Sequence, residues 1–157
     1  RAMRDYEKKD AMTKEISTML CAKEYEVAEA VGRLKNEQTR MKSQIAELQQ
    51  KLLKFCVAEI PVDEKIVTVF DGSLSGNLPR EMMNQLLDKG AVICAVFAGT
   101  DEEGYRYVIG SRSEDVRSIS KTLNSTLEGR GGGKPEMVQG SVKGTEDAVK
   151  EIIARYQ

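Results

Sequence analysis

The sequence contains no histidine, and that absence removes more chemistry than any other single feature. Without an imidazole there is no Ser-His-Asp or Cys-His relay, and no zinc site of the kinds that take histidine as a ligand. Soft ligands are scarce as well: Cys21, Cys56 and Cys94 lie far apart without CxxC spacing. Three scattered cysteines are expected to be reduced thiols of a cytoplasmic protein, serving as small apolar filler. No apolar run approaches the roughly 20 residues that a bilayer span needs, and no signal peptide opens the chain. A soluble, cytoplasmic protein with no membrane partner is expected. Net charge is also missing, with 24 Lys+Arg against 25 Asp+Glu. Residues 1–60 hold 12 basic and 10 acidic side chains, and residues 61–157 hold 12 and 15. No whole-molecule field draws such a chain to nucleic acid or anionic lipid, so any such binding must be local. A chain opening at Arg1 rather than Met is expected to continue upstream in its parent.

What is present falls into two parts with different periodicities. From Ala2 to about Leu20, Met3, Tyr6, Met12, Ile16, Met19 and Leu20 fall roughly on one face of a helix. A second helix starts near Lys23, where Glu24, Glu26 and Glu29 complement the dipole of its first turns. Its seam residues Val27, Val31, Leu34, Gln38, Met41, Ile45, Leu48, Leu52 and Phe55 are spaced 4-3-4-3-4-3-4-3. A strict 3.5-residue repeat over about four heptads holds an a/d seam toward a partner helix, whereas an ordinary surface helix drifts off it. A helix over 23–57 would run about 50 Å. Gln38 is the one polar seam residue: it either selects register and orientation, as polar a positions do, or is a tolerated residue near solvent. The charges at Lys35, Glu37, Lys42 and Lys51 permit a parallel or an antiparallel seam. The first helix, about half as long, is expected to fold back as a hairpin over the near half of the seam, leaving Ile45 to Phe55 for homodimerisation.

Past Pro61 the runs become short, β-branched and aromatic. Residues 66–70 read as a strand, Leu78 to Lys89 as a helix closed by Gly90, and 91–98 as a buried strand. Residues 105–111 return from a polar turn as its hairpin partner. A helix over 114–128, a short strand near Met137 and a helix from Thr145 to Tyr156 complete a β-α-β-β-α-β-α order. The expected fold is α+β: a helical hairpin or coiled coil over 1–57, then a compact α/β domain over 58–157 with a central mixed sheet and a glycine-rich loop.

That loop is Gly129-Arg130-Gly131-Gly132-Gly133-Lys134-Pro135-Glu136-Met137-Val138-Gln139-Gly140. Consecutive glycines let successive amides point into one concavity suited to an anion, with Arg130 and Lys134 at its lips. The equal alternative is a tight turn in which only glycine avoids a clash. It is not a Walker loop, because the GxxxxGK[ST] spacing is missing and a helix precedes it.

The string GRGGGKPEMVQG resembles the glycine-rich signature of the DHH-associated domain that ends alanyl-tRNA synthetases and the long-form AlaX alanyl-tRNA editing proteins. The opening RAMRDYEKKDAMTKEISTMLCAKEYEVAEAV is similar to the segment that follows the editing domain in those families, and the order of elements matches over nearly the whole chain. Val138 stands where alanine is usual and Ser141 where a further glycine is common. The short segment 71–77 is more similar to AlaX, and the histidine of the related DHH phosphoesterase loop is missing.

The resemblance implies a non-catalytic region serving dimerisation and binding to the outer corner of tRNA, in support of alanyl-tRNA aminoacylation or of editing mischarged tRNA. The parent would then be a synthetase or an editing hydrolase. Zinc and catalysis would belong to an editing domain before Arg1, and no cofactor is expected in this chain. The expected RNA contacts are Gly129, Arg130, Gly131, Gly132, Gly133, Lys134, Gln139 and Gly140, extended by Arg112, Arg117, Lys121 and Lys143, with Tyr105 or Tyr107 stacking on a base. The alternative is a structural or oligomerisation module with no nucleic-acid contact. A phosphoesterase is disfavoured because no Asp/His metal cluster exists in the sequence.

Overall fold

A computed structural model of the chain describes residues 2–157, the side chain of Ala2 excepted. The chain divides into two compact units, Arg1–Lys51 and Leu52–Gln157.

The first unit is helical. Helix α1 spans Ala2–Met19. It ends in a turn where Cys21 takes a left-handed φ of 48° and the Ser17 hydroxyl donates to the Ala22 carbonyl. One 3-10 turn, Glu24–Glu26, leads into helix α2, Val27–Glu59. Ion pairs Asp10–Lys14 (2.8 Å), Glu29–Arg33 (3.1 Å) and Glu47–Lys51 (2.7 Å) put the acid four residues before the base, the favourable orientation on a helix. Being exposed, they contribute little. The heptad residues lie along α2 in the open: Val31 is 46% exposed, Leu34 56% and Ile45 55%. The expected cover of the near half of the seam by α1 is therefore absent. The reason is visible in α1, where Lys9 and Asp10 fill the interval between Tyr6 and Met12 and break the 3.5-residue repeat a facing seam requires.

The second unit is built on a five-stranded sheet of order β1-β2-β3-β5-β4. The strands are β1 Ile66–Phe70, β2 Ile93–Thr100, β3 Gly104–Ser111, β4 Arg130–Lys134 and β5 Met137–Val142. β1 and β2 are parallel, joined through helix α3 (Leu78–Lys89), and the other pairs are antiparallel. The mixed sheet thus forms, with one strand more than the expected order.

Period-two alternation sorts the side chains into two cores. On one face Cys94 and Val96 meet Met82, Met83, Leu86 and Leu87 of α3, together with Leu53 and Val57 from the end of α2. On the other, Ile93, Ala95, Phe97, Tyr107, Ile109 and Val138 meet helices α4 (Arg117–Thr126) and α5 (Glu146–Ala154) through Ile119, Leu123, Val149 and Ile152. Burial raises the Cys94 thiol to about 12, as befits an inert core filler.

Two polar devices hold this unit's ends. Lys89 Nζ donates to the carbonyls of Val57 (2.9 Å), Ala58 (2.8 Å) and Ile60 (2.6 Å), satisfying acceptors left over at the C-terminus of α2. Asp101 Oδ1 accepts from the Tyr105 hydroxyl at 2.7 Å and from the Glu146 N–H at 2.8 Å, pinning the first turn of α5 to the β2–β3 hairpin. These bonds hold the Asp101 carboxyl below its ordinary range, and the bond to Asp101 raises the Tyr105 hydroxyl to about 12. Among the described residues no helix is long and apolar enough to cross a membrane.

Candidate nucleic-acid interface

The glycine stretch is not a loop. Arg130–Lys134 is an edge strand, paired antiparallel with β5 through a turn at Pro135-Glu136. None of the glycines between 129 and 140 has a positive φ, so the concave amide cradle is not formed. What these glycines supply is close approach. A Cβ on Gly131 would sit 2.6 Å from the Tyr107 hydroxyl and 2.6 Å from Gly140 Cα, and one on Gly140 would sit 2.7 Å from the same hydroxyl. That hydroxyl lies 2.7 Å from Ser120 Oγ and donates to Asn124 Oδ1 at 3.0 Å, while Asn124 Nδ2 reaches the Gly131 carbonyl at 3.2 Å. Gly131 and Gly140 therefore make room for a buried polar network linking α4 to the β4–β5 hairpin. Gly132 meets nothing within 4 Å. Tyr105 and Tyr107 are 5% and 1% exposed, which corrects the expectation that either stacks on a base.

The register explains which side chains meet. Arg130, Gly132 and Lys134 pair with Ser141, Gln139 and Met137, and Arg106 pairs with Ser141 from the other side. All of these side chains project to the face that carries α3. That helix packs on β2 and β3, leaving the β5–β4 part of the face open. Two adjoining depressions result, of about 370 and 460 Å³, sharing Arg80 of α3 and Gln139 of β5. The first is also lined by Arg106 and Arg130, and the second by Lys134, Arg112 and Glu136. A third, shared by Arg106 and Arg130 with Lys143, also holds Glu103 and Glu128.

The structure thus gathers Arg130, Lys134, Gln139, Gly132, Gly133 and Arg112 on one side. Arg117 and Lys121 do not join them: they ride on α4, across the sheet. Arg117 is moreover committed to Asp115 through contacts of 2.6 to 3.1 Å, which hold the Asp115 carboxyl at about 2. Arg112 pairs with Asp88 at 3.0 Å. The sequence reading missed Arg80 and Arg106. Alternation in Tyr105-Arg106-Tyr107 does put Arg106 opposite the buried tyrosines, but that its face stays open depends on where α3 lies.

Residues 63–157 match the DHHA1 domain family. The chain is 33% identical over 73 residues to the alanine–tRNA ligase of Acholeplasma laidlawii, covering 44% of this chain and 9% of that protein. It is 27% identical over 165 aligned positions to the alanine–tRNA ligase of Streptococcus mutans, covering 98% of this chain and 18% of that one. The chain therefore spans only a small part of these relatives' length. Among solved structures, RecJ from Thermus thermophilus, in complex with Mg2+, has a TM-score of 0.58 at 16% identity over 90% of this chain and 21% of its own, a likeness of fold. With the family matched over most of the sheet-bearing unit, and alanine–tRNA ligases aligned along nearly the whole length, this chain belongs to the DHHA1 domain family and is related to a region of the alanine–tRNA ligases.

Proposed function

We propose that this chain is a non-catalytic region of an alanyl-tRNA synthetase or AlaX-type editing protein, which binds the outer corner of tRNA through the open sheet face beside α3 and dimerises through the α2 seam. The observation that carries the binding half is a local one. In a chain of 24 basic and 25 acidic residues, Arg80, Arg106, Arg130 and Lys134 line two adjoining depressions and form no ion pair among the described residues. Phosphates supply the missing counter-charge, and the relation to alanine–tRNA ligases supplies the RNA. The dimer half is supported by the exposed apolar row from Val31 to Phe55.

Four cations on backbone phosphates give a log affinity against log salt slope of about −3 to −4. Replacing Arg130 and Lys134 with alanine lowers tRNA affinity and flattens that slope by about 2, while leaving the sedimentation coefficient alone. If tRNA affinity is indifferent to both changes and to salt, the structural reading, a module with no RNA contact, takes its place.

A further inference from the structure

We propose that the depression bounded by Arg80, Arg106 and Arg130 binds a phosphate monoester carried on a nucleoside-sized group. The three arginines come from α3, β3 and β4 and converge on one concavity of about 370 Å³, which contains no aspartate or glutamate in its lining. That volume lies near the lower end of the roughly 300–1,000 Å³ of small-molecule sites. Elsewhere the unit neutralises its arginines: Arg112 has Asp88 and Arg117 has Asp115. These three make no ion pair or hydrogen bond among the described residues.

Charge selects the ligand class. A backbone phosphodiester brings one negative charge, whereas a monoester carries about −1.5 to −2 at pH 7 with three acceptor oxygens. Guanidinium forks bind such oxygens in pairs. The N-terminus of the 12-residue helix α3, entered through Asn77 and Pro79, lines the same depression and adds its positive end. Pro79, Ala98 and Val108 offer an apolar wall, and Gln139 carries both a donor and an acceptor. The Tyr107 hydroxyl is committed to Ser120 and Asn124, so recognition centres on the phosphate. The monoester belongs either to a free nucleotide or to the 5′ end of an RNA. This site stands independently of tRNA binding.

The test is calorimetric titration of the full chain with AMP, adenosine and inorganic phosphate, alongside tRNA. AMP binds and adenosine does not; Arg80→Gln and Arg106→Gln each weaken AMP by about tenfold or more, while Lys134→Gln stays within about twofold. AMP binding also falls as the monoester protonates below about pH 6. Equal binding of AMP and adenosine, no binding of AMP, or AMP binding indifferent to acid and to both arginine changes overturns the site. The comparisons of ligand and pH use the unaltered chain, so they decide the matter even if a variant folds poorly. Weaker binding of 5′-dephosphorylated tRNA assigns the site to RNA ends, and unchanged tRNA binding with intact AMP binding assigns it to free nucleotide. Loss of tRNA binding with AMP binding intact would overturn the tRNA reading alone.

Discussion

The helical unit and the sheet unit spend their hydrophobic residues in opposite ways. Up to Lys51 the large apolar side chains from Met3 to Leu48 are exposed, and Ala30 is the one buried apolar residue described there. Beyond Lys51 the exposed large ones are Leu52, Phe55 and Val92, two of them seam positions, while two dense cores fill both faces of the sheet. A lone helix in water draws little stability from propensity, because its tertiary packing is normally what holds it. The first unit therefore depends on a surface from outside the described chain, and the second is complete by itself.

Breaking the seam should produce the largest effect. Ile45→Lys with Leu48→Lys puts charge into the apolar row, and the expected result is a monomer in sedimentation, with the dimer weakened by about 100-fold or more and helical circular dichroism reduced. The melting of the sheet unit should not move. A dimer that survives both lysines would mean the seam is not the interface.

Next in size is Gly131→Ala, which forces a methyl group against the Tyr107 hydroxyl and the β5 backbone. Overpacking of this kind costs about 1–3 kcal/mol, read as a lower denaturant midpoint for the sheet unit with the oligomeric state unchanged. Tyr107→Phe in the same chain should recover part of the loss by withdrawing one of the clashing atoms. A Gly131→Ala protein as stable as the parent would restore the idea that these glycines serve a ligand.

The smallest effect concerns pH. Asp101 is held below its ordinary value in the folded chain. Its bonds to Tyr105 and Glu146 therefore contribute fully above the unfolded carboxyl value of about 4. That contribution is lost as pH falls toward the folded value. Acid below about pH 4 should loosen α5, seen as faster amide exchange at Glu146 to Ala148, and Asp101→Asn should remove that part of the acid dependence.

The two units also differ in how far their sequences disclose them. The seam is legible because a 3.5-residue repeat over nine positions admits one helical interpretation, and the strands at 66–70, 91–98 and 105–111 are legible from β-branched and aromatic runs. Strand β4 is not, since three consecutive glycines present no side chains whose alternation can be read. The candidate site was half visible. Arg130 and Lys134 flank a memorable string, whereas Arg80 and Arg106 join them only through the register of β3 against β5 and the position of α3. Tyr105 and Tyr107 look available in the sequence and are consumed by the core.

Strand β4 has one more consequence. It is the sheet's outer strand, five residues long and fully exposed, and an open edge is a template on which other chains can add. Gly131, Gly132 and Gly133 offer no side chain to turn a newcomer away. Arg130 and Lys134, one at each end, are what keep the strip uninviting, because like charges must meet when two copies align. Any anion that neutralises these two cations also lifts the guard from the edge.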